Sequence, residues 1–220
     1  MNTRTYFILI STLIVCGLLA FIEHGIEINY LIKTAAKAGL FFLTILTYIK
    51  LFKDFHFKDA INIYRMNRNE WFRVLLLGVI SASIVLIAYK LLHSYIDVSI
   101  IKNDLTERLG ITPTGFIFVG MYITFGNSFL EEYYFRGFIF FNLSRKLGYI
   151  FSPIIFASYH IPMIMLWFSP ILIVLCFLGL WAIGMIFHKV NERNRTIWSS
   201  WIIHICADIM IILIGYSIFY

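Results

Sequence analysis

The stretch TGFIFVGMYITFGNSFLEEYYFRGFIFF, residues 114–141, decides the fold of this sequence. It is long enough and apolar enough to cross a bilayer core of about 30 Å as one helix. It also holds three charged residues, Glu131, Glu132 and Arg136. A charge at the centre of a membrane helix costs about 2.5–3.5 kcal/mol on insertion scales, so we expect these residues to have a function.

The composition of the whole chain agrees with a membrane location. Its 220 residues are 60% hydrophobic and only 14% charged, with a mean hydropathy of +0.84. Soluble domains are about 45–50% apolar and about 25% charged. We therefore predict an all-α, polytopic integral membrane protein with about seven transmembrane helices around an intramembrane polar site. The net charge of +6 needs no nucleic-acid partner, because membrane proteins concentrate Lys and Arg in cytoplasmic loops.

Apolar runs of membrane-spanning length recur along the chain without an intervening soluble domain or repeat. A helix needs roughly 20 apolar residues to cross a bilayer. We predict a single membrane domain over residues 1–220, with spans at residues 6–22, 31–49, 73–92, 114–141, 149–163, 168–188 and 196–218. The first run is followed by no convincing small-residue cleavage site, which favours a retained span over a signal peptide.

The distribution of basic residues predicts the orientation in the membrane. With the N-terminus inside, the inner segments hold twelve basic residues: Arg4, Lys50, Lys53, Lys58, Arg65, Arg68, Arg73, Arg145, Lys146, Lys189, Arg193 and Arg195. The outer segments hold four: Lys33, Lys90, Lys102 and Arg108. Because Lys and Arg favour the cytoplasmic side, this bias predicts a cytoplasmic N-terminus.

Ionisable residues on three predicted spans reach a common depth. At 1.5 Å per residue, Glu131 lies roughly 15 Å from the predicted cytoplasmic end of its helix, His160 roughly 18 Å and His204 roughly 13 Å. Ionisable residues that were buried for unrelated reasons would not be expected to share one depth in the membrane. We therefore predict that the three side chains meet inside the membrane.

Helical spacing separates the charged residues by face. Glu132 and Arg136 are four residues apart and are predicted to form an ion pair that offsets much of the cost of their burial. Glu131 is rotated about 100° from its neighbour and can face other helices. A buried carboxylate with no cation beside it is suited to act as a general base. Asp208 follows His204 by one turn and is placed to fix the tautomer of that histidine.

Three motifs follow one another along the chain: FLEEYYFRGFIF with Glu131-Glu132-x-x-x-Arg136, SPIIFASYHIP with Phe156-x-x-x-His160, and TIWSSWIIHICAD with His204-x-x-x-Asp208. Their order and spacing resemble the motif series of the CAAX protease and bacteriocin-processing (CPBP, or Abi) family of intramembrane proteases. The resemblance covers residues 114–212, the predicted catalytic core. Three ordered motifs in a polytopic chain are far more specific than a lone EExxxR.

The resemblance implies catalytic roles for four of these residues. Glu131 corresponds to the glutamate that activates the hydrolytic water, and His160 to the histidine that assists it. His204 and Asp208 match the pair that stabilises the oxyanion. The family's last motif often ends in asparagine, and an ionised aspartate cannot donate to an oxyanion. Asp208 would therefore act in its protonated form or by orienting His204.

The other two motif residues, Glu132 and Arg136, match an accompanying acid and base, and the resemblance implies that they support the site. The sequence does not decide whether the protein needs a cofactor. The preferred mechanism depends on glutamate and needs no cofactor. In a metal-dependent mechanism, a divalent ion such as zinc would be held by Glu131, His160 and His204, with water as the fourth ligand.

We expect a membrane-embedded CAAX-type endopeptidase in a bacterial plasma membrane, with a polar cavity that opens to the cytoplasm and reaches Glu131. Its substrates would be hydrophobic, lipid-modified or leader-bearing peptides, such as bacteriocins, met at the lipid bilayer. One alternative is a bacteriocin-immunity or regulatory protein that binds a peptide or partner through the same cavity without cleaving it. Another is a small transporter or proton-coupled channel that uses Glu131 and Asp208 as a relay.

Overall fold

The computed structural model of the protein describes residues 2–53, 55 and 58–219, and no β-strand occurs in that part of the chain. The all-α prediction is confirmed. The longer helices of these residues are α1 (Thr3–Gly25), α2 (Tyr30–Phe52), α3 (Arg68–Leu92), α4 (Val98–Arg108), α5 (Pro113–Phe140), α6 (Arg145–Ile164), α7 (Pro170–Glu192) and α8 (Trp198–Phe219).

Polar residues fix where several helices begin. The side chains of Asn2 and Asn29 accept backbone N–H bonds at the starts of α1 and α2. Asn67 and Glu70 form a reciprocal capping box at the start of α3. Thr112 caps α5, whose first residue is a proline. These caps satisfy backbone N–H groups that have no partner within the helix, so each apolar run begins at a defined residue.

Six of the described helices, α1, α2, α3, α6, α7 and α8, are long and apolar enough to cross a membrane. The pair α4 and α5 adds a seventh span if the two are counted together, although a bend of 90° separates them. Gly110 lies in that bend with a φ of +70°, a left-handed conformation that glycine adopts without steric strain. The prediction of about seven membrane helices is confirmed.

Large apolar side chains cover the outside of the helix bundle. Leu31, Phe72, Leu91 and Ile171 are among them, each between 70% and 75% exposed. Soluble monomers rarely expose extended apolar surfaces, whereas a lipid bilayer solvates them. The protein is therefore a multi-pass membrane protein, and we expect these side chains to face lipid.

The second half of α5, which carries the charged residues, runs through the packed centre of the bundle. All of its residues from Glu132 to Phe140 are buried. Phe41 of α2 stacks on Tyr134 with ring centroids 3.9 Å apart, so α2 covers one side of this segment. α6 covers another side, where the Phe156 ring meets Phe135 edge-on at 5.3 Å. The segment Glu132–Phe140 is thus enclosed between α2 and α6, whereas the first half of α5 has exposed side chains such as Phe118 and Met121.

Much of α5 is wound as π-helix rather than α-helix. The π-helical segments Tyr122–Asn127 and Glu132–Phe140 lie on either side of one α-helical turn, Ser128–Glu131. A π-turn holds more residues than an α-turn and therefore rotates the side chains that follow it. Such segments occur frequently at functional sites. In this helix Glu131 ends the α-helical turn between them, and Glu132 begins the second π-helical segment.

Candidate active site

Glu131 lies at the centre of a polar cluster inside the bundle, with only 1% of its surface exposed. Its Oε1 accepts hydrogen bonds from Asn127 Nδ2 at 2.8 Å and from the Tyr159 hydroxyl at 3.2 Å. Lys37 Nζ lies 3.5 Å from the same oxygen. Three donor groups therefore converge on one carboxylate oxygen and hold the side chain in a single orientation.

The expectation that Glu131 has no cation beside it is wrong, because Lys37 of α2 reaches it. The lysine side chain is only 13% exposed, and its ammonium group also contacts Asn127 Oδ1. The motif series could not include this residue, since it lies on a distant helix. The signal in the sequence is a lysine within the apolar run 31–49, where a cation needs either a partner or access to the membrane surface.

His160 faces the other oxygen of Glu131. Its Nδ1 lies 2.7 Å from the backbone carbonyl oxygen of Phe156, and because a carbonyl only accepts, Nδ1 carries a proton. Nε2 then lies 3.5 Å from Glu131 Oε2, an oxygen that is buried without a hydrogen-bond partner among the described residues. The carboxylate oxygen and the imidazole nitrogen are therefore both available to one water molecule.

Glu132 connects two other charged groups of the cluster. It is fully buried, and its Oε1 accepts from Arg136 Nη1 at 3.1 Å and from His204 Nδ1 at 3.0 Å. The predicted ion pair between Glu132 and Arg136 is confirmed. The structure adds the histidine as a second partner. Because Glu132 accepts the Nδ1 proton of His204, it sets the tautomer and the orientation of that ring.

Arg136 is a fully buried cation held between aromatic rings. Its guanidinium carbon lies 4.0 Å from the centroid of the Phe156 ring and 4.8 Å from that of Phe187. These faces add cation–π attraction to the single carboxylate bond. Gly184 makes room for the group: a Cβ at this position would lie 3.0 Å from Pro153 Cβ and 3.5 Å from Arg136 Nη2.

Asp208 lies on the far side of the His204 ring. Its Oδ1 is 3.7 Å from Nε2, which is beyond hydrogen-bonding distance. The expectation that Asp208 fixes the tautomer of His204 is therefore wrong, since Glu132 already holds Nδ1–H. Asp208 Oδ2 is buried and has no hydrogen-bond partner within the described chain. The aspartate and the histidine instead present two adjacent polar atoms at the edge of the cluster.

The structure thus brings the six predicted site residues together. Close contacts join the two glutamates of α5 to a histidine of α6, to a histidine of α8 and to the arginine one turn along α5. The common depth expected from the sequence agrees with these contacts. The catalytic roles of the residues stay predictions, because the geometry shows proximity and not chemistry.

The contacts do not gather three metal ligands. Among the described residues, no group of three or more His, Cys, Asp or Glu side chains is placed to hold a metal ion. Of the three proposed ligands, Glu131 and His160 face each other, while His204 has its Nδ1 bound to Glu132. The metal-dependent mechanism stays a prediction, and we assign no catalytic step to a metal.

His188 on α7 lies outside the motifs and links the helices around Arg136 through hydrogen bonds. It is fully buried, although it lies near the end of its helix. Its Nδ1 donates to the Gly184 carbonyl at 2.6 Å, and its Nε2 lies 3.0 Å from Ser152 Oγ. Ser152 in turn donates to the Phe135 carbonyl at 2.7 Å, so the chain of bonds ties α7 and α6 to α5.

Among the described residues of the cluster, the partly exposed side chains lie at its edges. The side chains of His160, His204 and Lys37 are 15%, 12% and 13% exposed, whereas Glu131 behind them is 1% exposed. Two surface cavities, of about 360 and 500 Å³, are lined by other residues. The predicted polar cavity that reaches Glu131 therefore stays a prediction.

Comparison with known families identifies the segment that carries this cluster. Residues 113–210, a little under half of the chain, match the family model described as Rce1-like, type II CAAX prenyl endopeptidase. No curated protein and no solved structure matches the chain. The matched segment contains the six motif residues from Glu131 to Asp208, but not Lys37. Residues 113–210 therefore match an Rce1-like domain, which is consistent with the CAAX protease and bacteriocin-processing family, and the activity of the matched family is that of an intramembrane CAAX endopeptidase.

Proposed function

We propose that this protein is an intramembrane endopeptidase in which Glu131 activates the hydrolytic water. The observation that carries the proposal is the asymmetry of this carboxylate. Oε1 meets three donor groups, whereas the buried Oε2 has no hydrogen-bond partner in the described chain and faces His160 Nε2 at 3.5 Å. A general base needs a free oxygen within reach of the proton that it removes.

In the first step, a water molecule between Glu131 Oε2 and His160 Nε2 gives one proton to Oε2. Because Nδ1 of the neutral histidine donates to the Phe156 carbonyl, Nε2 is an acceptor and orients the water through its second hydrogen. The hydroxide attacks the scissile carbonyl carbon. As the peptide bond breaks, the proton on Glu131 passes to the leaving amine. The new carboxyl end keeps the hydroxide of the water, and the new amino end keeps its proton.

His204 and Asp208 supply the donor for the oxyanion in this proposal. Glu132 holds Nδ1–H of His204, so only Nε2 faces the reaction. A neutral ring would present a lone pair there. The donor is therefore either Nε2–H of an imidazolium balanced by Glu132, or a protonated Asp208 carboxyl 3.7 Å away. In both cases a preorganised donor stabilises the charge that develops on the carbonyl oxygen.

Lys37 completes the site from outside the matched segment. Together with Asn127 and Tyr159, it occupies Oε1 and leaves Oε2 turned towards His160. We assign Lys37 a positioning role, because it acts on the base and not on the substrate. The helices that precede residue 113 are in this proposal part of the enzyme and not only a membrane anchor.

The proposed substrates are hydrophobic, lipid-modified or leader-bearing peptides that enter from the bilayer. The family supports a peptide substrate in a membrane. The partly exposed edges at His160 and His204 support approach of the peptide from beside the bundle. The excess of Lys and Arg at one end of the helices supports a cytoplasmic N-terminus, and we propose a bacterial plasma membrane as the location.

The test uses the purified full-length chain in lipid nanodiscs with three peptides: a prenylated peptide ending in a CAAX sequence, its unmodified form and a leader-bearing precursor. We expect the wild type to cleave at least one of them and Glu131→Gln to cleave none. Glu192→Gln is the matched control, since that carboxylate lies at the end of α7 and bonds Tyr149 at 3.1 Å, away from the cluster. It should cleave like the wild type.

The same variants separate cleavage from an immunity or regulatory function. Secreted and membrane peptidomes would be compared between cells that carry the wild type and cells that carry Glu131→Gln. Identical peptidomes, with no cleavage in nanodiscs, would overturn the proteolytic function. A protective phenotype that survives the substitution would then favour a protein that only binds its peptide.

A further inference from the structure

We propose that a second site, at the Phe140 end of α5, binds a phosphate group. A cavity of about 360 Å³ lies there, and its polar lining includes Arg65, Arg193, Arg195, Asp59, Asn142 and Asn194. None of these residues belongs to the Glu131 cluster. The inference therefore goes beyond the proposed peptidase and does not depend on it.

One side of the cavity is formed by a short helical turn that packs against the helix bundle and is not a free loop. The short helical turn Asp59–Ile61 lies against α5 where Gly137 permits close approach, since a Cβ there would be 3.1 Å from Ala60 Cβ. Ile197 N donates to the Ala60 carbonyl at 2.9 Å, and Trp198 Nε1 donates to the Ile61 carbonyl at 2.7 Å. The turn is thereby fixed between α5 and α8.

Two of the arginines are held in place by backbone groups. Arg195 ends the turn after α7 with a φ of +48°, and its Nη2 donates to the Phe141 carbonyl at 2.6 Å. Arg65 Nη1 donates to the Arg195 carbonyl at 3.0 Å. A guanidinium has five N–H groups, so each of these bonds positions the side chain and leaves other donors for a ligand.

The charge around the cavity is unbalanced. Three arginines line it against one aspartate, Asp59. No carboxylate of the described residues lies within ion-pair distance of Arg65, Arg193 or Arg195. Glu70 lies close enough to Arg193 to interact with it electrostatically, but it does not line the cavity. Clustered guanidinium groups that outnumber the carboxylates beside them favour an anion that accepts several hydrogen bonds, and phosphate oxygens fit that requirement.

The position of the cavity suits a phosphate at the membrane surface. It lies where α5 ends at Phe140, α7 ends at Glu192 and α8 begins at Trp198, which is where the apolar helices leave the bilayer. The phosphate could belong to an anionic lipid headgroup or to free phosphate in solution. The chemistry of recognition is the same for both sources, so the experiment separates them.

The experiment measures thermal unfolding of the full-length protein in two arms. One arm compares nanodiscs of phosphatidylglycerol with nanodiscs of phosphatidylcholine, and native mass spectrometry counts the retained lipid. The other arm adds inorganic phosphate to the protein in detergent, against sodium chloride of equal ionic strength. The test variant is Arg65→Gln with Arg193→Gln. The control is Arg68→Gln, an exposed arginine at the start of α3 that does not line the cavity.

We expect the wild type and Arg68→Gln to be stabilised in at least one arm, and the double variant to lose about tenfold or more in apparent affinity. Stabilisation by phosphatidylglycerol alone identifies a lipid headgroup, and stabilisation by inorganic phosphate identifies free phosphate. No stabilisation in either arm overturns the proposal. Equal stabilisation of the double variant, or equal loss in Arg68→Gln, also overturns it.

Discussion

Two adjacent carboxylates in α5, Glu131 and Glu132, have very different surroundings. Glu131 has one oxygen held by donors from α2, α5 and α6, and its other oxygen faces His160. Glu132 shares one oxygen between Arg136 and His204. The rotation of about 100° between successive helical residues directs the first towards α2 and α6 and the second towards α8. The comparison indicates that Glu131 takes part in the chemistry, whereas Glu132 balances the charge of Arg136 and orients the ring of His204.

The largest expected effect is the loss of cleavage in Glu131→Gln. The amide keeps the shape of the side chain but cannot take a proton from water, so we expect the rate to fall by about 10²–10⁴-fold. Cleavage of a fluorogenic peptide in nanodiscs measures the rate, and size-exclusion chromatography with thermal unfolding checks the fold. A folded variant that keeps most of the wild-type rate would show that Glu131 is not the base.

Glu132→Gln should instead reduce stability. It removes the counter-charge of Arg136, which is fully buried, and breaking a buried ion pair costs about 3–5 kcal/mol. Denaturant unfolding measures the loss. Glu192→Gln again serves as control, because Glu192 and its partner Arg145 are 26% and 74% exposed, and water screens an exposed pair so that its loss has little effect on stability. Equal losses in the two variants would contradict the supporting role of Glu132.

Lys37→Met tests the positioning of Glu131. We expect kcat to fall by about tenfold to a hundredfold with KM little changed, because a misplaced base slows the reaction without weakening peptide binding. Lys37→Arg should restore part of the rate. Lys33→Met is the matched control: Lys33 lies one turn earlier on α2 and pairs with Glu23 at 3.0 Å. If both methionine variants had the same kcat, Lys37 would have only a structural role.

The membrane helices were predictable because their signal is local. An apolar run of sufficient length specifies a span wherever it packs, and the pair Glu132–Arg136 follows from helical periodicity alone. The 90° bend between α4 and α5 was not predictable in this way. It depends on the left-handed backbone at Gly110, and a glycine in a polar segment permits that conformation without requiring it.

The site was predictable only in part, because motif spacing is a local signal, whereas contacts between distant helices are not. The motifs indicated which residues gather, but not which faces of distant helices meet. The contact of Lys37 with Glu131 depends on how α2 packs against α5, and the bond between His204 and Glu132 depends on the rotation of α8. Both are tertiary contacts without a fixed sequence spacing, so the partner of each charge could not be assigned from the sequence.

A smaller effect is expected for Asp208→Asn, which introduces the residue that often ends this motif in the resembling family. An amide always offers N–H donors, whereas a carboxyl donates only when it is protonated. We therefore expect the variant to retain cleavage within about tenfold of the wild type, since the oxyanion keeps a donor. His204→Gln, which also breaks the bond to Glu132, should lose more. A larger loss in Asp208→Asn would show that the charge of Asp208 is needed.

Chelation should have the smallest effect. In the proposed mechanism Glu131 acts as a base on water, and the described residues do not gather three ligands around a metal ion. We expect cleavage to continue at an unchanged rate after treatment with 1,10-phenanthroline and dialysis, with less than one equivalent of zinc in the purified protein. If cleavage stopped and returned on addition of zinc, Glu131, His160 and His204 would have to move together as ligands. The different surroundings of Glu131 and Glu132 would then belong to the metal-free protein and not to the protein that cleaves peptides.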